Sequence, residues 1–161
     1  KDGRTRMELT GHKRSVRRIA LSRDLQTVIT GSDDGSAGVW SLATGETTIM
    51  LQAAHGPVSD VAISDDRRLA ALGHPDGSIE VVEVATKETV AIYQKHREAI
   101  VGLRFLPNSY HVMSASLDAQ LHFWEVIPNV DKLITFARKR APRILEPRQL
   151  SRFSLTPLKS P

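Results

Sequence analysis

From Ser15 to Trp124 apolar and polar residues alternate in short runs, and the runs recur in the same order three times. "SVRRIALS" from Ser15, "PVSDVAIS" from Pro57 and "AIVGLRFL" from Ala99 open the three series. Second runs follow as "QTVITGS", "RLAALGH" and "HVMSASL", and third runs end at Trp40, Val82 and Trp124. Successive side chains of a strand point to opposite faces, so alternation with β-branched residues predicts short strands rather than helices. Between the second and third runs stand "DDGS" and "PDGS", where glycine supplies the positive φ of a tight hairpin. "LDAQ" in the third series lacks that glycine, and its turn is expected to be less ideal.

The landmarks keep step. Asp34, Asp76 and Asp118 are each 42 residues apart, as are Trp40, Val82 and Trp124, while His12, His55 and His96 are spaced by 43 and 41. A fourth strand, "ETTIMLQ" and "ETVAIYQ", closes the first two series after the matching turns "LATGET" and "VATKET". Four antiparallel strands in about 42 residues predict a β-propeller blade. The expected fold class is therefore all-β, with three four-stranded blades at about residues 11–51, 52–93 and 94–126. The segment "RTRMELT" (4–10) reads as an outer strand with no blade of its own, and no outer strand follows Trp124.

These segments resemble the WD40-repeat family, on "LTGH" at Leu9–His12, "VITGSDDGSAGVWSL" at Val28–Leu42 and "VMSASLDAQLHFWEV" at Val112–Val126. The Trp-Asp dipeptide itself is absent, replaced by Trp40-Ser41, Val82-Glu83 and Trp124-Glu125, and only Gly11-His12 keeps the Gly-His pair. The resemblance implies a structural hydrogen-bond network of His12, Thr30, Asp34 and Trp40 in the first blade, and of His96, Ser114, Asp118 and Trp124 in the third. The second blade is degenerate: His55 and Asp76 remain, but Leu72 and Val82 replace the hydroxyl and the indole. Paired loss of two members suits a packing element that apolar contact can replace, and does not suit a Ser/His/Asp hydrolase, the alternative that these residue types raise. No catalytic residue is therefore assigned. His74, His111 and His122 lack the i, i+4 or Cys/His spacing of a zinc site, so no metal and no cofactor are expected.

Composition adds limits. The 161 residues contain no Cys, which excludes disulfides and cysteine chemistry, and no apolar run approaches the ~18 residues of a membrane span. A cytoplasmic protein without membrane contact is expected. The net charge of +4 is uneven, since residues from Lys132 onward hold eight Lys or Arg against Glu146 alone. Residues 127–161 read as a basic helical tail: Leu133, Phe136, Ala137 and Arg140 have helical spacing before Pro142, Pro147 starts a second short helix, and the last residues are expected to be disordered. This stretch resembles the segment after WD repeats in bacterial multidomain signalling proteins, through Leu133-Ile134-x-Phe136-Ala137-Arg138 and Arg143-x-Leu145-x-Pro147.

A propeller closes with roughly four to eight blades, so three need completion. The expected partners are further blades, on the same protein, another chain or a second copy, together with a protein ligand. Lys13, Arg14, Arg17 and Arg18 in "HKRSVRR" are the candidate partner-binding residues for an acidic surface. The functional expectation is a non-catalytic interaction scaffold or ligand-sensing module, the C-terminal part of a larger protein. Nucleic-acid binding through the basic tail is the lesser alternative, because aromatic interleaving for base stacking is missing.

Overall fold

The structure, a computed structural model, describes residues 7–126. The three series fold into three antiparallel sheets, and no helix occurs among the described residues. The first sheet runs in the order β1 (Val16–Leu21), β2 (Thr27–Ser32), β3 (Ser36–Ser41), β4 (Thr47–Gln52). The second is β5 (Asp60–Ile63), β6 (Leu69–Gly73), β7 (Ser78–Glu83), β8 (Glu88–Gln94). The third has three strands: β9 (Ile100–Phe105), β10 (His111–Ser116) and β11 (Leu121–Glu125). Among the described residues this sheet has no fourth strand, as expected, and the helices expected in the tail fall on residues outside those described. Of the outer strand expected over 4–10, the described part, residues 7–10, pairs with no ladder. An outer strand needs another blade's third strand beside it, and each described β3-type strand is either already paired or belongs to β11 at the far end of the stack.

Alternation divides each blade into two faces, and the faces meet between blades. Ile29, Ala37, Val39 and Leu51 of the first blade pack with Val58, Val61, Ile63, Ala70, Leu72, Val82 and Val84 of the second. Ala62, Leu69, Ala71, Ile79 and Val81 of the second pack with Ile100, Leu103, Val112 and Val126 of the third. The middle blade is covered on both sides, so β5, β6 and β7 are buried along their whole length. Close approach needs small residues: a Cβ at Gly31 would lie 2.7 Å from Val58, and one at Gly73 would lie 2.5 Å from Ile100.

The hairpin turns explain the Asp-Gly pairs. Gly35 and Gly77 have φ of 80° and 84°, and Ala119, at the same place in the third turn, has φ of 62°. An alanine in the left-handed region costs roughly 1–2 kcal/mol, which is the physical content of the less ideal "LDAQ" turn. At the opposite end, the β1–β2 type turns are tied blade to blade. Arg67 meets Asp24 at 3.1 Å, Arg23 meets Asp65 at 3.2 Å, and Asp65 accepts the Asn108 N–H at 2.9 Å. Tyr110 donates its hydroxyl to Asp66 at 2.8 Å.

Among the described residues no blade covers either end of the stack, and register shows what the ends are. Ile19 is 67% exposed, whereas Val61, 42 residues on, is fully buried between blades. Phe123 is 63% exposed, whereas Val81, 42 residues back, is fully buried. Val16 and Leu21 at one end, and Leu121 at the other, repeat the contrast with Val58, Ile63 and Ile79.

Candidate functional site

In the first blade His12 sits in the link before β1, and its ring is brought under the β2–β3 turn. Trp40 Nε1 donates to Thr30 Oγ1 at 2.7 Å, and Thr30 Oγ1 lies 2.7 Å from His12 Nε2. His12 Nδ1 is 2.9 Å from Ser36 Oγ, which donates to Asp34 Oδ1 at 2.6 Å. One assignment satisfies every link: indole N–H to hydroxyl, hydroxyl to Nε2, Nδ1–H to Ser36, Ser36 to carboxylate. The direct His12–Asp34 separation is 3.6 Å, so Ser36 is the bridge. The sequence reading did not include Ser36, although its place two residues after the turn Asp, as in Ser78, is the signal that locates it.

The third blade has Gln120 where Ser36 stands, and the chain shortens. His96 Nδ1 bonds Asp118 directly at 3.0 Å, Nε2 meets Ser114 Oγ at 2.8 Å, and Trp124 Nε1 donates to Ser114 at 2.8 Å. His122, cross-strand from Ser114, places its ring 4.6 Å from that of His96. In the second blade His55 and Asp76 come within 3.7 Å, and Ser78 donates to Asp76 at 2.6 Å. Leu72 and Val82 leave no hydroxyl or indole to continue the chain. Sequence reasoning named His74 only to set aside a zinc site and did not name Glu80, and both are buried in the interior of this blade.

These bonds set the acid response. Burial pushes the Asp34 carboxyl up, but Ser36 Oγ and the N–H groups of Lys13 and Ser36 outweigh it and hold it well below the usual range. Burial likewise raises Asp118, and the N–H groups of Arg97 and Gln120 with the His96 ring draw it down to about 2. A carboxylate lowered from the ordinary 3.8 contributes stability that is complete above that value and disappears as protons bind. The melting temperature is therefore expected to fall as pH drops from about 4 to about 2. Asp118→Asn is expected to start lower at neutral pH and to lose less over that interval. An equal slope in variant and parent, measured by calorimetry across the range, contradicts the assignment.

The four basic residues of the first link are placed differently from one another. The Lys13 backbone N–H donates to Asp34 at 2.6 Å and its side chain is exposed. Arg14 is exposed as well. The Arg17 guanidinium meets the Asp33 carboxylate at 2.7–2.8 Å, which offsets its charge. Arg18 reaches inward, with Nε 3.6 Å from Asp60 Oδ1. Asp60 in turn accepts the Leu103 N–H at 2.6 Å, and Ser59 donates to the Ile100 carbonyl at 2.7 Å, so inner strands of adjacent blades are stapled. Where these strands begin, a groove of about 290 Å³ opens, lined by Arg17, Arg18, Pro57, Val58, Pro75 and Val101 among others. Among the described residues no group of three or more His, Asp or Glu is arranged to hold a metal ion.

Three stacked antiparallel sheets, the first and third each carrying a His–hydroxyl–indole chain, are blades of a β-propeller. Residues 3–41 and 87–125 match the family described as WD domain, G-beta repeat. The chain is 40% identical over 58 residues to the DENN domain and WD repeat-containing protein SCD1 of Arabidopsis thaliana, covering 36% of this chain and 5% of that protein. Its fold is similar to the crystal structure of the RRP9 WD40 repeats, with a TM-score of 0.66 and 24% identity, over 73% of this chain and 37% of that one. The structure of U3-55K is similar to the same degree, with a TM-score of 0.66, 25% identity and coverage of 73% and 38%. The chain belongs to the WD40-repeat family, and it spans well under half the length of these relatives.

Proposed function

We propose that this chain supplies consecutive blades of a larger propeller that works as a rigid protein-interaction scaffold, whose loop face receives an acidic segment of a protein partner. The observation that carries the reading is the register identity of the open ends. Ile19 and Phe123 are exposed at positions that are buried wherever a neighbouring blade is present. Further blades, on the same protein or another chain, satisfy those faces with the same geometry. The groove at the start of the inner strands then lies on the completed ring, lined by Arg17 and Arg18 as well as Asp33, and Lys13 and Arg14 are exposed in the link that leads into β1. Charge complementarity of this kind steers encounter and selects the partner's sign.

The reading has no catalytic step in this chain. Ser114 and Thr30 line up with His and Asp as a nucleophile would, but Ser114 has no exposure and Thr30 only 7%, so a substrate carbonyl has no approach. A sensing role in a bacterial signalling protein is supported by the segment Leu133–Arg138 and Arg143–Pro147, which lies outside the described residues. A cytoplasmic setting, supported by the lack of cysteine, belongs to the same proposal.

The test is a peptide array read against the parent chain and the double variant Lys13→Glu/Arg14→Glu, both of whose side chains are exposed. Asp- and Glu-rich peptides are expected to bind in a salt-sensitive way, and the double variant to weaken them at least tenfold, about 1.4 kcal/mol. Binding that ignores peptide charge, or a variant equal to the parent, sinks the acidic-partner reading.

A further inference from the structure

The middle blade carries a buried polar pair that neither neighbour has. His74 takes the place of Ser32 and Ser116, and Glu80 takes the place of Gly38 and His122. Both are buried to the last 1% of their surface. In the first blade no side chain fits at this position, since a Cβ at Gly38 would lie 2.6 Å from the Trp40 ring, whereas in the second blade Val82 stands where that indole would be.

Each partner of the pair holds one end of the link 54–57. Glu80 Oε2 accepts the Ala54 N–H at 2.9 Å, while Oε1 accepts the Thr89 hydroxyl. His74 Nδ1 lies 3.0 Å from the Pro57 carbonyl oxygen. A carbonyl only accepts, so Nδ1 must carry the ring proton, and neutral Nε2 is left with a bare lone pair. That Nε2 is buried without a hydrogen-bond partner and faces Glu80 Oε2 across 3.9 Å. Two acceptors confront each other with no proton between them, and the link that they hold contributes Pro57 to the groove wall.

We propose that His74 and Glu80 form a proton-operated clasp on the link 54–57: uptake of one proton at Nε2 draws Glu80 Oε2 onto the imidazolium and off the Ala54 N–H, releasing the link at the edge of the groove. The proton comes from solvent, no bond between heavy atoms changes, and the partner site proposed above loosens in acid. The inference rests on that site for its consequence but not for its mechanism. The charged and titratable groups around the ring are Glu80 on β7, Asp76 in the β6–β7 turn and His55 in the link itself, whose ring centroid is 5.6 Å away. From the third blade, the His96 and Glu98 carbonyl oxygens pack against Gly77, while the His96 ring is engaged by Asp118 and Ser114. Burial lowers the proton affinity of His74 below the ordinary 6.5, against the pull of the Pro57 carbonyl and of Asp76 and Glu80. A histidine lowered in the folded state leaves stability unaffected above that value and reduces it as pH falls below it, which agrees in sign with loosening.

The test follows the His74 ring and backbone amides of the full chain by nuclear magnetic resonance between pH 7.5 and 4.5. Ala54 N–H exchange, corrected for its intrinsic pH dependence, is expected to speed up about tenfold with the same midpoint as the His74 ring, while the Ile29 amide in the first blade stays protected. Glu80→Gln, which has no carboxylate for an imidazolium to draw away, is expected to make Ala54 exchange independent of the His74 titration, and so is His74→Ser, which restores the residue of the other two blades and serves if the first variant does not fold. Ala54 exchange that is flat across the ring titration overturns the clasp. So does a response shared by Ile29 or one that persists in the variants. None of these readouts involves a partner, so failure of the clasp and failure of the acidic-peptide array are separate results.

Discussion

Replacing Trp40 by alanine is expected to cost about 3–5 kcal/mol of stability, the range for large aromatic truncations in a close-packed interior. The indole is 1% exposed, covers Gly38 so closely that no Cβ fits there, and donates to Thr30 at 2.7 Å. Removing it opens a cavity and deprives Thr30 Oγ1 of its donor while His12 still requires the Thr30 proton. Trp40→Phe separates the two effects: it keeps most of the volume and loses the N–H, and is expected to cost about 1–3 kcal/mol. Urea denaturation with an unchanged slope is the measurement. A midpoint shift for alanine no larger than that for phenylalanine shows that packing of the indole is not what the first blade depends on. In the first blade Gly38 has no side chain that could refill the space, so the loss is expected to be large there.

Gly77→Ala is the second large effect, at about 2–4 kcal/mol. Its φ of 84° is not the main reason, since Ala119 holds the corresponding place in the third blade at 62°. The difference lies in what surrounds the added methyl. At Gly77 a Cβ would stand 2.6 Å from the His96 carbonyl oxygen and 2.9 Å from that of Glu98, both backbone atoms of the next blade's link. At Gly35 the nearest atom is the Gln52 side-chain nitrogen at 3.3 Å, with the Gly56 carbonyl oxygen at 3.4 Å. Gly35→Ala is therefore expected to be the milder change, near the bare strain of about 1–2 kcal/mol. Thermal melts of the two variants side by side decide the matter, and equal losses contradict the inter-blade contact at Gly77.

The 42-residue step made the blades legible because each repeat had to solve the same packing problem with the same alternation. His12, Thr30, Asp34 and Trp40 could be read as one group for the same reason: their spacing is repeated at His96, Ser114, Asp118 and Trp124. What escaped was compensation across strands. That Glu80 holds the place of Gly38 beside the lost hydroxyl follows from the pairing of Leu72 with Glu80 and of Thr30 with Gly38, a relation between neighbours in space eight residues apart along the chain. His74 was hidden differently, because one side chain took over the task of Ser32, which ties down the link by donating to the Arg14 carbonyl at 3.3 Å. The basic link was read as a single charged group. Its residues divide, because Asp33 and Asp60 claim two of the four side chains. Neither acid shares the 42-residue pattern, so periodicity carried no warning of them.

The open ends have one more consequence, for solubility. The face around Ile19 and the face around Phe123 are the two halves of one kind of joint, set at opposite ends of the same stack. Contacts between such unlike halves do not terminate by themselves: they close into a ring if the rotation per blade permits, and otherwise grow into a filament. Completing the circle is thus the event that removes a polymerisation hazard, and every added blade short of that only moves the adhesive surface outward.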